Sequence, residues 1–294
     1  MELFFSQIFN GIANGVVYAS IALALVLIFR STGLLNFAQG EMALFSTFLT
    51  WKLTTFDIPV AVAILLSMAI SLVAGAIIER VLIRPVEQAR SPLNVVIVTL
   101  GMFLAINALA QLAFGTDPQR MPSAFPSGTV DVGVTNVGKD VIGLALVLVA
   151  ECVLLYVLLQ RTKLGLKLRA VASNPESSRL VGINSGSMLM LGWALSAALG
   201  AATGSFVADQ RNFVDASLMQ QVLVFAFAAA ALGGFDSPLG AVVAGLIVGI
   251  ADALTIQYID LLDGIEVVLP LTLILVVLLV RPTGLFGRQT VERV

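Results

Sequence analysis

Histidine is absent from the 294-residue sequence, and Cys152 is its single cysteine. One cysteine cannot form an intrachain disulfide, and zinc sites built from cysteine and histidine need several such ligands. The lack of histidine also excludes a Ser-His-Asp triad. We therefore expect no metal centre, no cofactor and no catalytic residue in this chain.

Charged residues are scarce as well. They make up 12% of the chain, whereas hydrophobic residues make up 59%. A soluble domain has about 25% charged and about 45–50% apolar residues. The formal net charge of −2 offers no basic face, which a nucleic-acid partner needs. The composition therefore predicts a multi-pass protein of the lipid bilayer with no nucleic-acid partner.

Nine apolar stretches are candidate membrane spans, because about 20 helical residues cross a hydrocarbon core of roughly 30 Å. The stretches are 8–29, 34–51, 58–78, 94–114, 141–159, 188–208, 219–235, 238–258 and 264–280. Leu-, Val-, Ile- and Ala-rich runs without alternation favour helices over barrel strands. We predict an all-α transmembrane bundle of about 8–10 spans in a single domain, 1–294. The stretches 34–51 and 219–235 are short enough to be re-entrant.

The distribution of Lys and Arg predicts the orientation, because these residues favour cytoplasmic loops. With nine alternating spans, the side of the membrane with more Lys and Arg receives Arg30, Arg80, Arg84, Arg90, Arg161, Lys163, Lys167, Arg169, Arg179, Arg281, Arg288 and Arg293. The other side receives Lys52, Arg120, Lys139 and Arg211. We therefore predict an external N-terminus, a cytoplasmic C-terminus and a cytoplasmic loop at 160–187. The loop at 115–140 is then external, and its three prolines indicate irregular structure.

Three acidic residues, Glu41, Glu151 and Asp252, lie within spans that contain no Lys or Arg. Acids at this depth are costly and indicate a bundle interior or an aqueous pathway. Structural explanations also remain open. A carboxylate such as Glu41 is favoured at a helix N-terminus, and Glu151 has possible hydrogen-bond partners in Asn107 and Gln111 of the fourth span.

Polar residues beside Glu41 also point to a pathway. Asn36, Gln39 and Gly40 are three and four residues apart, so they share one face of a helix over 34–51. That spacing predicts a polar face along the translocation route. The residues assigned to this route are Asn36, Gln39, Glu41, Glu151 and Asp252.

The loop 160–187 contains a complete set of signals for a short helix. Asn174 is a typical N-cap, and Pro175 suits the first helical position. Glu176 is favoured in the first turn, and Gly182 is typical of a helix end. These signals predict a helix of about two turns. Such a helix fits either docking into a groove of another protein or resting on lipid headgroups.

Three pairs of glycines are spaced four residues apart within the predicted spans. They are Gly11 and Gly15, Gly200 and Gly204, and Gly245 and Gly249. Small residues at this spacing let helix backbones approach closely. We therefore predict that these glycines lie at helix–helix contacts.

The segment Gly133–Lys139 spells GxxxxGK, the start of a phosphate-binding pattern, but Asp140 stands where Ser or Thr would hold Mg²⁺. It also lies in the loop predicted to be external. We therefore expect that this chain is not an enzyme and that a partner handles any ATP.

Four segments in order along nearly the whole chain carry a resemblance to a known family. They are Asn36–Met42, Arg169–Ile183, Gly233–Ala241 and Arg281–Gly287. With these segments the sequence resembles the permease subunits of bacterial branched-chain amino acid ABC importers. Related permeases serve urea, short amides or other small polar solutes, so the resemblance is more specific for the family than for the solute.

The resemblance implies a division of labour in the bacterial inner membrane. Two permease chains, identical or paralogous, form the pathway, two cytoplasmic ATP-binding subunits drive alternating access, and an external binding protein delivers the solute. It implies import of branched-chain or other small aliphatic amino acids. It also matches Arg169–Asn184 with the family's coupling segment. The residues assigned to ATPase coupling on this basis are Arg169, Asn174, Pro175, Glu176, Arg179 and Gly182.

Two other functions remain open. In an ion-coupled secondary transporter or channel, Glu41, Glu151 and Asp252 would relay protons or bind Na⁺, and an ion gradient would drive uptake. A membrane scaffold without transport activity would leave the polar residues near Glu41 unexplained. The coupling-like loop 160–187 favours the importer over both.

Overall fold

A computed structural model of the chain describes residues 2–87, 92–133, 136–259, 265, 267–281 and 283–287. Several positions used in the sequence predictions lie outside these residues. They are Arg90, Val134, Thr135, Pro282, Arg288, Arg293 and residue 264, the predicted start of the ninth span.

The described residues are mostly helical. The helices are α1 (Glu2–Thr32), α2 (Gln39–Thr54), α3 (Val60–Ile78), α4 (Arg84–Glu87), α5 (Pro92–Phe114), α6 (Lys139–Tyr156), α7 (Lys163–Ser173), α8 (Pro175–Leu180), α9 (Ser185–Arg211), α10 (Leu218–Gly233), α11 (Pro238–Tyr258) and α12 (Val268–Val280). Two π-helical segments, Glu79–Ile83 and Val157–Arg161, continue α3 and α6.

Six helical segments in the described part of the chain are long and apolar enough to cross a membrane. They are Leu3–Thr32, Val60–Val86, Leu93–Phe114, Lys139–Arg161, Ser185–Arg211 and Pro238–Tyr258. The helices α2 and α10 have 16 residues each and α12 has 13, fewer than the about 20 of a perpendicular crossing. Every predicted apolar stretch overlaps one of these nine helices, so the prediction of an all-α, multi-pass membrane protein is confirmed.

The second predicted stretch, 34–51, starts too early. Gly33 has a positive φ of 72°, which favours glycine and ends α1. Asn36 Oδ1 then accepts the backbone N–H of Ala38 at 3.0 Å, a turn that precedes the first residue of α2, Gln39. The prediction that Asn36 shares a helical face with Gln39 is therefore wrong.

The predicted external loop, 115–140, is not wholly irregular. Strand β1 (Gln119–Arg120) pairs antiparallel with β4 (Phe213–Val214). Strands β2 (Thr129–Asp131) and β3 (Asn136–Gly138) form an antiparallel hairpin. Strands of two or three residues are too short to show the alternation over four to eight residues by which strands are recognised, so the sequence prediction missed them.

Contacts divide the chain into two compact units. Unit 1 comprises Met1–Val26, Phe125–Leu148 and Gln221–Val294, and unit 2 comprises Leu27–Ala124 and Val149–Gln220. The expectation of one domain over 1–294 stays a prediction.

Within unit 1, α1 and α11 pack backbone to backbone at glycines. A Cβ on Gly11 would lie 2.6 Å from Ile250 Cα, and one on Gly15 would lie 2.8 Å from Leu246 Cα. A Cβ on Gly249 would overlap the backbone of Gly15. Contacts this short leave no room for a side chain, so the packing role predicted for these glycines is confirmed.

The core of unit 2 is formed by α2, α3 and α9. A Cβ on Gly75 of α3 would lie 2.7 Å from Trp193 O, and Gly200 and Gly204 of α9 face α2 with similarly little space. The outer faces of α3 and α5 are apolar; for example, Leu65 and Ile97 are each 64% exposed. Exposed apolar faces of this kind fit a lipid environment.

Two of the segments that carry the family resemblance meet in unit 1. The backbone N–H of Leu285 donates to Leu232 O at 2.8 Å, and that of Phe286 donates to Gly233 O at 3.2 Å. Gly234, with a φ of 97°, turns the chain from α10 into α11. Residues 283–287 of the Arg281–Gly287 segment therefore pack on this turn, which gives both segments a structural role.

Candidate functional site

A chain of polar side chains links α2 to α5 in unit 2. Glu41 lies in the first turn of α2 and is fully buried. Asn107 Nδ2 donates to Glu41 Oε2 at 2.8 Å and to the backbone oxygen of Ala216 at 2.9 Å. Gln111 Nε2 donates to Asn107 Oδ1 at 2.6 Å. Of the two amides considered in the sequence as partners of Glu151, Asn107 therefore bonds to Glu41, and Gln111 bonds to Asn107.

The second carboxylate oxygen of Glu41 has an unusual environment. Glu41 Oε1 is buried and has no hydrogen-bond partner among the described residues. Buried polar atoms nearly always have a partner, and each exception calls for an explanation such as strain, a functional role, or a bound water or ion. Glu41 therefore has one oxygen committed to Asn107 and a second that is buried without a described partner.

A groove of about 470 Å³ lies beside the polar chain. Its lining residues are Phe103, Leu104, Asn107, Ala108, Gln111, Leu112 and Gln220. Amide groups at the depth of a membrane-spanning helix are costly against lipid and face protein or water instead. The groove therefore combines polar groups from α5 and α10 with an apolar wall, which suits a small solute that is part polar and part aliphatic.

Asn36 and Gln39 lie in a different, tightly packed network. Asn36 Nδ2 donates to Gln39 Oε1 at 3.2 Å. Ser196 Oγ donates to the same oxygen at 3.0 Å, and Gln39 Nε2 donates to Ser196 O at 3.1 Å. Both residues are buried and hold the start of α2 against α9. Their role in a translocation route stays a prediction.

Asp252 belongs to unit 1, where it connects α11 to α1. Tyr18 Oη donates to Asp252 Oδ2 at 2.9 Å, and Asn14 Nδ2 approaches the same oxygen at 3.4 Å. The Tyr18 ring stacks on Phe225 at 4.8 Å between centroids. Glu151 lies in α6 with 8% of its surface exposed. Pathway roles for Asp252 and Glu151 likewise stay predictions.

The short helix predicted in the loop 160–187 is present as α8. Asn174 Oδ1 accepts the backbone N–H of Ser177 at 2.8 Å, and Pro175 occupies the first turn. Gly182 has a φ of 82°; its N–H donates to Arg179 O, and Ile183 N–H donates to Ser178 O. These two bonds form a Schellman motif, which confirms Gly182 as the helix end.

Charged and apolar side chains lie next to each other on the exposed surface of α8 and its C-terminal end. Glu176 and Arg179 are exposed, and Leu180 and Val181 are 88% and 75% exposed. A rigid, capped helix that presents exposed aliphatic residues beside charges has the character of a protein docking surface.

The sequence analysis did not predict a second helix in this loop, α7. Thr162 Oγ1 caps it by accepting Gly165 N–H at 3.0 Å, and Leu168 and Val171 are buried on its inner face. Arg169 lies on α7 rather than on α8, and its Nη1 donates to Gln160 Oε1 at 3.0 Å. The cap and the apolar spacing of positions 164, 168 and 171 were signals that would have found this helix.

An ion pair between a buried carboxylate and a partly exposed arginine was also missed. Arg84 Nη2 lies 2.7 Å from Glu79 Oε2, and the Glu79 side chain is fully buried. Arg84 Nε donates to Glu79 Oε1 at 3.1 Å, and Nη2 also donates to Gly186 O at 2.7 Å. Arg84 thus connects the end of the third span, through Glu79, to the start of α9, through Gly186 O. The helix α9 is the next helix after α8.

A family model described as branched-chain amino acid transport system / permease component matches residues 7–279. The chain belongs to this permease family. It is a membrane-spanning permease component of a transport system, as the apolar helices and the family together require.

Two relatives illustrate how far the similarity extends. This permease is 29% identical over 304 residues to the high-affinity branched-chain amino acid transport system permease protein LivH of Escherichia coli strain K12, covering 99% of this chain and 98% of LivH. It is 28% identical over 305 residues to the corresponding permease protein BraD of Pseudomonas aeruginosa, with the same coverage of both chains. Among solved structures, PsaBC from Streptococcus pneumoniae in complex with Fab aligns with a TM-score of 0.48 and 14% identity, covering 93% of this chain and 91% of that one.

Proposed function

We propose that this permease is the membrane subunit of an ATP-driven importer for branched-chain or other small aliphatic amino acids. The observation that carries the proposal is the similarity to LivH and BraD over nearly the full length of each chain. Two permease chains, identical or paralogous, form the pathway. Two ATP-binding subunits hydrolyse ATP, and a solute-binding protein delivers the amino acid.

The proposal includes an orientation in the bacterial inner membrane. The N-terminus is external, and the C-terminus and the α7–α8 segment are cytoplasmic. The excess of Lys and Arg on the side of the α7–α8 segment supports this orientation. It places α8 where soluble ATP-binding subunits have access to it.

The groove beside Glu41 is proposed as part of the solute route. Asn107, Gln111 and Gln220 offer hydrogen bonds to the polar end of an amino acid, and Phe103 and Leu104 offer an apolar wall to its side chain. Asn36, Gln39, Glu151 and Asp252 remain proposed pathway residues on the strength of their depth in the helices.

The helix α8 is proposed as the ATPase docking element. Glu176, Arg179 and Leu180 present the contact surface, and Asn174, Pro175 and Gly182 give the helix its fixed ends. Arg169 contributes indirectly, because its bond to Gln160 braces α7.

The docking role predicts that Arg179→Glu lowers the affinity of the permease for the ATP-binding subunits by about tenfold, as loss of a charged hot-spot contact does. The measurement is the amount of ATP-binding subunit that co-purifies with the tagged permease in mild detergent. Lys167→Glu is the matched control, because it makes the same charge change at an exposed position of α7. Equal retention in Arg179→Glu and wild type would contradict the docking role of Arg179.

The driving force is tested by reconstitution of the complete complex in proteoliposomes. We expect leucine uptake that requires ATP and the solute-binding protein and that persists when ion gradients are collapsed. Uptake that follows an ion gradient without ATP would overturn the importer and favour an ion-coupled carrier.

A further inference from the structure

The orientation of the Asn107 amide is fixed by its neighbours. Glu41 Oε2 and Ala216 O both contact Asn107 Nδ2. A backbone carbonyl can only accept a hydrogen bond, so the amide nitrogen, which has two N–H groups, must face these two oxygens. Both N–H groups of Asn107 are thereby used, and its Oδ1 points away from Glu41 Oε2 and Ala216 O.

The orientation of Gln111 follows from that of Asn107. Gln111 Nε2 donates to Asn107 Oδ1, which commits one of its two N–H groups. Asn107 Oδ1 has a second lone pair, and Gln111 Oε1 is a further acceptor. Both residues line the groove. After these bonds they keep two acceptor oxygens, Asn107 Oδ1 and Gln111 Oε1, against a single N–H of Gln111, so acceptors outnumber donors.

No cationic side chain attracts an anion into the groove, because its described lining residues include no Lys or Arg. Gln220, which also lines it, offers both donors and an acceptor and so favours neither charge. The N-terminus of α10, which would favour an anion, is preceded by a carboxylate: Asp215 Oδ1 accepts hydrogen bonds from the N–H and Oγ of Ser217 at 2.8 and 2.9 Å. The buried Glu41 Oε1, without a partner among the described residues, adds further electron-rich character.

We propose that the groove holds a subsite for the ammonium group of the transported amino acid, and that Glu41 is its positioning residue. Glu41 orients Asn107, Asn107 orients Gln111, and the two amide oxygens receive the ammonium N–H groups. The inference rests on the proposed function, because it identifies which end of an amino acid this groove receives. It assigns the carboxylate of the solute to a place outside the Asn107–Gln111 pair.

The test separates the two ends of leucine. Isoamylammonium has the leucine side chain and ammonium group without the carboxylate, and 4-methylpentanoate has the carboxylate without the ammonium group. Ala108→Cys places a reactive thiol in the groove, in a Cys152→Ala background, within the complete complex in nanodiscs. The readout is the concentration of each ion that halves the rate of labelling by a water-soluble maleimide.

We expect isoamylammonium to protect Cys at position 108 at about tenfold lower concentration than 4-methylpentanoate, the size of effect of a hydrogen bond to a charged group. The matched control is Thr116→Cys, an exposed position in the turn just after α5 and outside the groove lining, which neither ion should protect. Equal protection by both ions, better protection by the carboxylate, or no protection by either would overturn the subsite.

Variants of Glu41 distinguish positioning from a role in packing. Glu41→Gln keeps an oxygen that accepts from Asn107 and should retain the preference for isoamylammonium. Glu41→Leu removes that acceptor and should abolish it. Gln111→Met removes an oxygen at a half-buried site and should also abolish the preference, which keeps the test decisive if Glu41→Leu fails to fold. Wild-type uptake of leucine is measured separately, so the subsite can fail while the importer stands.

Discussion

Replacing Arg84 with methionine is expected to lower the free energy of unfolding of the permease by about 3 kcal/mol. The change leaves Glu79, which is fully buried, without the cation that pairs with both of its oxygens. Breaking a buried pair costs about 3–5 kcal/mol because a charge stays uncompensated. We expect the low end of that range, since the Arg84 side chain is 31% exposed and water screens it in part.

The double variant Glu79→Met with Arg84→Met should recover most of this loss, because it removes both charges together. Thermal unfolding of the purified permease in detergent, followed by tryptophan fluorescence, measures the stability of Arg84→Met and of the double variant. Arg80→Met is the matched control: Arg80 is in the same π-helical segment but exposed, and its loss should change stability little. If the double variant were less stable than Arg84→Met alone, the ion pair would not be the cause.

The π-helical segment explains why this pair was invisible in the sequence. Glu79 and Arg84 are five residues apart, which in an α-helix places side chains about 140° from each other around the axis. Here the N–H of Arg84 bonds to Glu79 O, the five-residue step of a π-helix. A sequence pattern based on the α-helical period cannot predict that change, and the prediction ended the span at residue 78.

The elements that were predicted well depend on local signals. Asn174, Pro175 and Gly182 each act on their own few residues through a cap, a fixed φ or a positive φ, so α8 could be located from the sequence alone. The long apolar helices follow from composition in the same way. The start of α2 was misplaced because the polar turn at Asn36 lies inside an otherwise apolar stretch.

The candidate site required tertiary information. Glu41 stood out in the sequence as an acid within a span, but its partner Asn107 is 66 residues away, and Asn107 was considered for Glu151 instead. The groove also needs Gln220, from a helix much later in the chain. No spacing rule joins residues this distant, so the sequence could identify the acid but not the site around it.

Replacing Gly249 with alanine is expected to lower the free energy of unfolding of the permease by about 3 kcal/mol or more. The added Cβ would overlap the backbone nitrogen and Cα of Gly15 and lie 2.5 Å from Gly11 O. Overpacking a tight contact typically costs about 1–3 kcal/mol. Here the obstacle is the backbone of α1 rather than a movable side chain, so the two helices of unit 1 must separate. That separation also removes the dispersion contacts that hold membrane helices together.

The matched control is Gly101→Ala, which makes the same change within α5. A Cβ at Gly101 meets no atom within 4 Å, and alanine is favoured over glycine in a helix by about 1 kcal/mol. Gly101→Ala should therefore keep or raise the temperature of unfolding, whereas Gly249→Ala should lower it and reduce the amount of monodisperse permease extracted from membranes. Similar stability of the two variants would mean that α1 and α11 do not pack at Gly15 and Gly249. If Gly15→Ala lowers stability as Gly249→Ala does, and the double variant costs less than the sum of the two, both glycines serve one contact.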